Sequence, residues 1–300
     1  MSLLSVEGHA DHTAAWIFVV PSESKPSCLA CLLSILEDPA LIPVQKKPAL
    51  ASLASLVQKS SEAVSSLQGN MAIASHCILT LMELLKLDDT VFVAQVLDVC
   101  VKVIGKVKSE DLVRLVLDVI QNEVTTNKDC RAVCPLFLLL GRLIHNVSSL
   151  AKVMAQDFDS LLQQLCSSLS FPDEDVQASI VYIFVYLLVG DWPANLSPGI
   201  HRQIVQEVLC LLSTAKVEAL ILNCLGLLRK LVTNGDSLEL LMRLNMEGIT
   251  LLAVLKKLLV SKKEVQQISS LQILSSIVKH PQSQSSNYTV AILQSDLMGE

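Results

Sequence analysis

The sequence predicts an all-α fold, a right-handed superhelix of about five to six stacked helix pairs. Leucine-rich helical segments alternate with short polar turns, and one apolar register recurs about every 42 residues. Its anchors lie 41, 43 and 41 residues apart, at Phe92, Val133, Val176 and Val217. Positions four, eight and eleven after each anchor are mostly apolar and share one side of a 3.6-residue helix. Such a repeat is typical of a solenoid, in which each pair buries its apolar face only against its neighbours.

The composition is typical of tightly packed helices. Hydrophobic residues make up 51% of the chain, charged residues 17% and aromatic residues 4%, which indicates a core of aliphatic side chains. The net charge of −6 gives no reason to expect nucleic acid or an anionic membrane as a partner. The longest apolar stretch, residues 178–189, has twelve residues, well short of the ~20 that cross a membrane.

Three segments are predicted. Residues 1–26 have no helical period and are expected to be a loosely ordered lead-in, and residues 27–280 form the repeat array. Residues 281–300 are a Ser/Gln-rich linker followed by an incomplete terminal helix. Because that helix and one face of the helix at 263–279 would lack a partner, we expect exposed apolar surface and a fragment or short isoform of a longer array.

Local signals place each helix in turn. Prolines 39, 43 and 48 are expected to break the chain between the first two helices, and Ser109 is a good N-cap. Pro172 can occupy the first turn of the helix that follows it. Asn234 caps a short helix, and Gly248 separates it from two longer ones. The predicted helices cover residues 28–36, 49–58, 71–87, 90–104, 109–124, 129–144, 158–169, 173–188, 200–212, 217–232, 237–244, 249–260 and 263–279.

Two stretches carry a family resemblance. Residues 247–266, which read E-G-I, L-L, L, L-L-S and E-V-Q with short gaps, resemble an armadillo repeat. Residues 161–178, which contain F-P-D and D-V-Q-A, are similar to the related two-helix HEAT repeat. The resemblance covers roughly residues 70–280 and implies an α-superhelix whose concave face holds protein partners.

The sequence departs from the peptide-binding members of that family. Those proteins typically line their groove with a tryptophan and, four residues later, an asparagine in the last helix of each repeat. The corresponding positions here hold Tyr182 and Tyr186, Asn223 and Leu227, and Gln272 and Ser276. Without an asparagine ladder, capture of extended basic peptides is not expected.

The chain as a whole is similar to a family of long armadillo-like germline proteins implicated in meiotic double-strand-break formation. That resemblance implies a role in meiotic chromosome synapsis and double-strand-break formation. The nine cysteines lie mostly on apolar helix positions, and the apolar run at residues 14–20 is short and has no basic flank, so we expect a non-catalytic interaction scaffold that is nuclear or cytoplasmic and not secreted. Its protein partner is expected on the concave surface of the second helices. The alternative is a cytosolic trafficking or transport adaptor of the armadillo type.

One basic cluster is the candidate partner-binding site: Lys256, Lys257, Lys262 and Lys263 lie at the turn between the last two long helices. It would suit an acidic partner or phosphates, and the alternative is a solvated turn whose lysines favour a helix C-terminus. The cluster has no interleaved aromatic residues, so direct nucleic-acid binding is not expected.

Chemistry is otherwise sparse in the sequence. Cys28-x-x-Cys31 has the spacing of half a zinc site or of a redox pair, and His76-Cys77 could complete a zinc site. The alternative places Cys28 and Cys31 in the core of the first helix. The sequence contains neither a Gly-x-Ser-x-Gly nucleophile turn nor a Gly-rich phosphate loop. We therefore expect no enzyme, no cofactor, no metal and no small-molecule substrate.

Overall fold

The computed structural model describes residues 16–20, 26–127, 129–188, 197–285 and 288–295. The chain divides into two compact units, Met1–Leu150 and Ala151–Glu300. Most of the predicted lead-in, residues 1–15 and 21–25, lies outside the described residues.

Unit 1 consists of two short strands and a series of helices. The elements are β1 (Ile17–Val19), β2 (Pro26–Cys28), α1 (Leu29–Glu37), α2 (Pro43–Lys59), α3 (Ser61–Gly69), α4 (Met71–Leu84), α5 (Thr90–Val107), α6 (Glu110–Thr126) and α7 (Cys134–Asn146). The helix α8 (Ser148–Asp157) contains the boundary between the units.

Helices of unit 1 pack in two layers. The first helices α1, α4 and α6 follow one another in one layer, and the second helices α2, α5 and α7 form the other. Phe92 and Phe137 are fully buried on neighbouring second helices. Both belong to the recurring register, so this register is the one that forms the core.

Unit 2 repeats the arrangement with more helices. They are α9 (Asp159–Ser168), α10 (Glu174–Leu187), α11 (Pro198–Thr214), α12 (Glu218–Leu231), α13 (Gly235–Arg243), α14 (Leu251–Leu259), α15 (Glu264–Lys279), α16 (Pro281–Ser285) and α17 (Tyr288–Gln294). The first helices α9, α11 and α14 pack in sequence, and the second helices α10, α12 and α15 do the same. The short helix α13 packs on α11. The predicted all-α fold of repeated helix pairs is confirmed within each unit.

In two helix pairs of unit 2, a glutamine on the second helix bonds to the end of the first helix and the turn after it. Gln177 Nε2 donates to the backbone carbonyls eight and six positions earlier, at 3.0 and 2.9 Å. Gln267 Nε2 repeats the pattern at 3.0 and 2.7 Å. The accepting carbonyls lie at the end of the first helix, where the last turn has no intrahelical donors. This bond gives the V-Q signature its physical role, and in the last pair Gln267, not Gln266, fulfils it.

Most predicted helices and caps are confirmed, and several boundaries are wrong. Ser109 and Asn234 cap α6 and α13 as predicted, each accepting from a backbone N–H three residues later. Asp173 caps α10, so Pro172 precedes the cap instead of occupying the first turn. The helix α7 begins at Cys134, five residues later than predicted, because the residue before Pro135 is disfavoured in helical conformation except at the very start.

The helix α2 runs through Pro48, where a break was predicted. Pro43 is its first residue, and the buried Lys46 fixes this end because its Nζ donates to Leu36 O at 2.6 Å. Pro48 removes one intrahelical bond near the start, and the burial of apolar residues from Ala49 to Val57 offsets that loss.

Five further elements were not predicted. The helix α3 buries only Ala63 and Leu67, too short an apolar pattern to stand out, and α8 has a similarly short one. The strands β1 and β2 pair antiparallel with Ile17 opposite Cys28. The helix α16 lies in the predicted linker. The bounds of the three predicted segments stay a prediction.

Candidate functional site

A tyrosine pair lies on the second-helix layer of unit 2. Tyr182 and Tyr186 are one helical turn apart on α10, and their ring centroids are 4.7 Å apart with the planes tilted by 55°. They are two of only three tyrosines in the chain, and both are half-buried. Rings at this distance attract each other beyond the effect of area burial alone.

Lys230 on α12 completes what we call the aromatic–lysine cluster: Tyr182, Tyr186 and Lys230. Its Nζ lies 5.5 Å from the centroid of the Tyr186 ring, within the range of a cation–π interaction. Burial lowers the pKa of Lys230 below its usual value. Tyrosine is among the side chains that contribute most to binding at protein interfaces, so this half-buried pair beside a partly desolvated cation is a candidate binding surface.

Arg229, the residue before Lys230, connects α12 to the next second helix. Its Nη1 donates to Gln272 Oε1 on α15 at 3.1 Å. Gln272 is one of the positions where the resemblance places a groove residue, and here it bonds within the unit. Neither Arg229 nor Lys230 was predicted from the sequence. The i, i+4 spacing of two tyrosines in a chain with few aromatics was the signal that could have located the cluster.

Asn223 occupies a position that peptide-binding relatives use for a groove asparagine. Its Nδ2 donates to Ala178 O at 2.9 Å and so joins α12 to α10. The amide therefore stabilises the packing of successive second helices.

The four predicted lysines come together at the end of α14 and the start of α15, but they do not act alike. Lys257 Nζ donates to a carbonyl in the last turn of α11 at 2.7 Å. Lys263 Nζ lies 3.2 Å from a carboxylate in the first turn of α12. Lys256 and Lys262 are exposed and have no partner among the described residues. Two of the four thus link helix pairs, and partner binding by the cluster stays a prediction.

Glu174 links the helix pairs of unit 2 through backbone groups. Its Oε2 accepts from the amide N–H groups of Lys216 and Val217 at 2.9 and 2.6 Å. Val217 is the N-cap residue of α12, so the carboxylate caps the second helix of the next pair. The sequence analysis placed Glu174 only at the start of its own helix.

A histidine and a serine are in contact in unit 2, and their bonds have a structural role. His201 Nε2 is 2.8 Å from Ser237 Oγ, which donates to Asn234 Oδ1 at 3.0 Å. Ser237 is 0% exposed, so no substrate can reach its hydroxyl. Burial lowers the pKa of His201, an effect that Asp236 opposes. The three side chains fix the N-terminus of α13 on α11.

The CxxC pair lies at the start of α1. Cys28 is the buried N-cap residue, and the Cys31 thiol contacts Cys28. Burial, reinforced by that contact, raises the pKa of Cys31 to about 11, so it is a neutral thiol at physiological pH. His76 bonds to Glu37 at 2.9 Å. Within the described ranges, no group of three or more His, Cys, Asp or Glu side chains could hold a metal ion.

The exposed face of α15 is apolar, as expected. Val265, Ile268, Leu271 and Val278 are between 43% and 56% exposed. In the part of the chain that the structure describes, no helix has both the length and the hydropathy needed to span a bilayer.

Solved structures with a similar fold include a karyopherin and an engineered protein. Kap121p bound to RanGTP gives a TM-score of 0.64 at 15% identity, over 89% of this chain and 27% of that protein. Kap121p bound to Pho4p gives a TM-score of 0.62 over the same shares. An engineered protein gives 0.56 at 16% identity, over 90% of this chain and 61% of that one. At these identities the similarity shows the fold alone.

Sequence comparison is more specific. Meiosis inhibitor protein 1 from Homo sapiens is 28% identical over 294 residues, 93% of this chain and 23% of that protein. The Mus musculus protein is 26% identical over 314 aligned positions, 99% of this chain and 24% of that protein. The chain thus spans about a quarter of the length of these relatives. A model of the meiosis inhibitor protein 1 N-terminal domain matches residues 27–299, so the chain belongs to the meiosis inhibitor protein 1 family.

Proposed function

We propose that this protein is a non-catalytic protein-interaction scaffold that acts in meiotic chromosome synapsis and double-strand-break formation. The family match over residues 27–299 is the observation that carries the meiotic assignment. The relatives are named for meiosis, and the meiotic role is extended to this chain by analogy. They are about four times as long as this chain.

The scaffold binds its partner through the concave surface of the second helices, and the aromatic–lysine cluster is the centre of that surface. Tyrosine and arginine dominate binding energy at interfaces, and Tyr182, Tyr186 and the neighbouring Arg229 belong to those types. Lys256 and Lys262, which are exposed at the end of the same unit, provide charges that steer an acidic partner.

Two potentially reactive side chains are buried, which supports a binding role without catalysis. The Ser237 hydroxyl is buried and bonded, and burial raises the pKa of Cys77 to about 12, which keeps that thiol neutral. All nine cysteines are free thiols, typical of a reducing compartment, and we place the protein in the nucleus or cytoplasm. The net charge of −6 supports a protein partner over nucleic acid or an anionic membrane.

The test is affinity capture with the 300-residue chain from germline and somatic extracts, read by mass spectrometry. We expect chromosome-axis or break-formation proteins from the germline extract only. The variant Tyr182→Ala/Tyr186→Ala should lose them, and the control Val91→Ala/Leu138→Ala, which changes two exposed apolar residues on second helices of unit 1, should retain them. Loss in the control as well, or capture unaffected by the tyrosines, would contradict the proposed surface.

The second candidate is a cytosolic trafficking or transport adaptor. Its support is the fold of Kap121p, a karyopherin whose solved complexes contain Pho4p and RanGTP. Asn223 weakens this candidate because its amide is bonded within the unit. Capture of the same import or trafficking factors from both extracts would favour the adaptor over the meiotic scaffold.

A further inference from the structure

A groove between α2 and α5 opens on the second-helix layer of unit 1. It has a volume of about 330 Å³, and its walls are formed by Lys47, Ala51, Ala54, Gln95, Asp98 and Lys102. The floor contains Leu50 and Val99, which are buried and apolar. Each wall covers eight residues of helix, about 10 Å from first to last at 1.5 Å per residue, which is the length of roughly three residues of extended chain.

The charge of this groove is opposite to that of the whole chain. Asp98 is paired with Arg142 on α7, so its carboxylate is already neutralised. Lys47 and Lys102 have no partner among the described residues. The groove therefore presents two uncompensated ammonium groups on a chain whose net charge is −6.

The shape of the groove favours a polypeptide. Two alanines on one wall leave room for a backbone to approach closely, and Gln95 offers an amide that can donate to or accept from a peptide group. The lining residues include no ring on which a nucleic-acid base could stack. An apolar floor between two cations fits a small apolar side chain flanked by carboxylates.

We propose that this groove binds an extended acidic segment of a partner protein, with carboxylates at Lys47 and Lys102 and a small apolar residue over Ala51 and Ala54. This site lies in unit 1 and is separate from the aromatic–lysine cluster of the proposed function.

The probe is a fluorescein-labelled peptide of about ten alternating Glu and Ala residues, measured by fluorescence anisotropy against the 300-residue chain. An alternating Gln and Ala peptide and a single-stranded oligonucleotide of similar length are the comparison probes. The Glu peptide should bind and should weaken as salt rises, because exposed charges are screened. The Gln peptide should bind at least about tenfold more weakly, since two ion pairs are lost.

Two variants test the location. Lys47→Glu/Lys102→Glu should weaken the Glu peptide about tenfold or more, whereas Lys152→Glu/Lys279→Glu, which makes the same charge change at exposed sites outside the groove, should stay within about twofold. Ala51→Trp should block the groove without altering charge. Melting curves check that each variant folds, and if Ala51→Trp does not fold, the two charge reversals decide.

The proposal is overturned by absence of peptide binding, by equal binding of the Glu and Gln peptides, or by equal loss in both charge reversals. Lysine-dependent binding of the oligonucleotide alone would also overturn it, in favour of a nucleic-acid site.

Discussion

The two units join successive helix pairs by different chemistry. Unit 1 relies mainly on contacts between side chains about 40 residues apart: the ion pairs of Lys86 with Glu123 and of Arg142 with Asp98, and the bond between His76 and Glu37. Unit 2 adds side chains that bond to backbone groups of a neighbouring pair: Glu174, Asn223 and Lys257. The division is not exclusive among the described residues. Gln68 donates to Lys106 O in unit 1, and in unit 2 Arg229 bonds to Gln272 and Lys263 to Glu218.

This difference indicates in which unit the relative positions of successive helix pairs are fixed more firmly. An exposed ion pair contributes at most about 1 kcal/mol and is screened by salt. A side chain that bonds to an otherwise unpaired backbone group at a helix end contributes a similar amount, but it also fixes the position of that end and depends less on salt. We therefore expect the pairs of unit 2 to be held in a more constant register than those of unit 1.

The buried core is expected to contribute equally to the stability of both units. Substitutions in the core have the largest expected effect and test this. Phe137 on α7 and Phe184 on α10 are both 0% exposed. Phe137→Ala and Phe184→Ala should each lower the free energy of unfolding of their own unit by about 3–5 kcal/mol, because each leaves a cavity. Hydrogen exchange read by mass spectrometry, unit by unit, measures both. A loss below about 1 kcal/mol in either unit would show that the recurring register is not its core.

The Glu174 cap provides the sharpest contrast between the units. Glu174→Ala removes an acceptor for two backbone N–H groups, so it should cost about 1–2 kcal/mol, as loss of an N-cap does. The matched control in unit 1 is Glu110→Ala, which breaks only an i, i+4 pair with Arg114 and should cost about 0.3–0.5 kcal/mol. Urea unfolding measures both, and equal costs would remove the distinction.

The glutamine bond inside a helix pair should contribute about as much as one ordinary hydrogen bond. Gln267→Ala leaves two carbonyls at the end of α14 without their donor and should cost about 1 kcal/mol. Gln272→Ala, on the exposed side of the same helix, should cost less than about 0.5 kcal/mol. If the two variants unfold at the same urea concentration, the Gln267 bond has no capping role.

Salt concentration should change the contribution of an ion pair between helix pairs and leave that of a neutral side-chain-to-backbone bond almost unchanged. Arg142→Ala should cost about 0.5 kcal/mol at low salt and almost nothing at high salt, since the pair with Asp98 is exposed. The cost of Asn223→Ala, which breaks a bond between neutral groups, should change little with salt. Urea midpoints at low and high sodium chloride concentration give both values. A salt-independent cost for Arg142→Ala would mean that this contact is not electrostatic.

The smallest expected effect is a pH dependence in unit 2. Because burial lowers the pKa of His201, the unfolded chain binds a proton more readily than the folded one. The stability that this provides is complete above the usual pKa near 6.5 and is lost as pH falls from there through the lower folded pKa. His201→Gln should flatten melting temperature against pH below about 6.5, and His145→Gln, at an exposed site, should not. A slope unchanged in His201→Gln would contradict this assignment.

The fold could be predicted because its signals are local and repeated. The anchors from Phe92 to Val217 fall on buried or helix-starting positions, and the caps at Ser109 and Asn234 act within three residues. The break predicted at Pro48 was wrong because Lys46 fixes the start of α2. The partner of Lys46, Leu36, lies in another helix and could not be identified from the local sequence.

The candidate site was less predictable because it depends on contacts between helices. The positions of Tyr182 and Tyr186 were evident from the repeat, but the placement of Lys230 over one ring depends on how α10 and α12 pack. The same holds for Lys257 and Lys263, which formed one cluster in sequence and have separate partners in the structure. Charge and spacing alone do not reveal which lysine is already bonded.

The most direct test of the proposed meiotic scaffold is the number of double-strand-break foci in germ cells whose own gene encodes Tyr182→Ala/Tyr186→Ala. With protein abundance equal to wild type, we predict fewer foci and incomplete synapsis, and normal numbers with the control Val91→Ala/Leu138→Ala. Normal foci and synapsis in the tyrosine variant would contradict the claim that the aromatic–lysine cluster binds the meiotic partner.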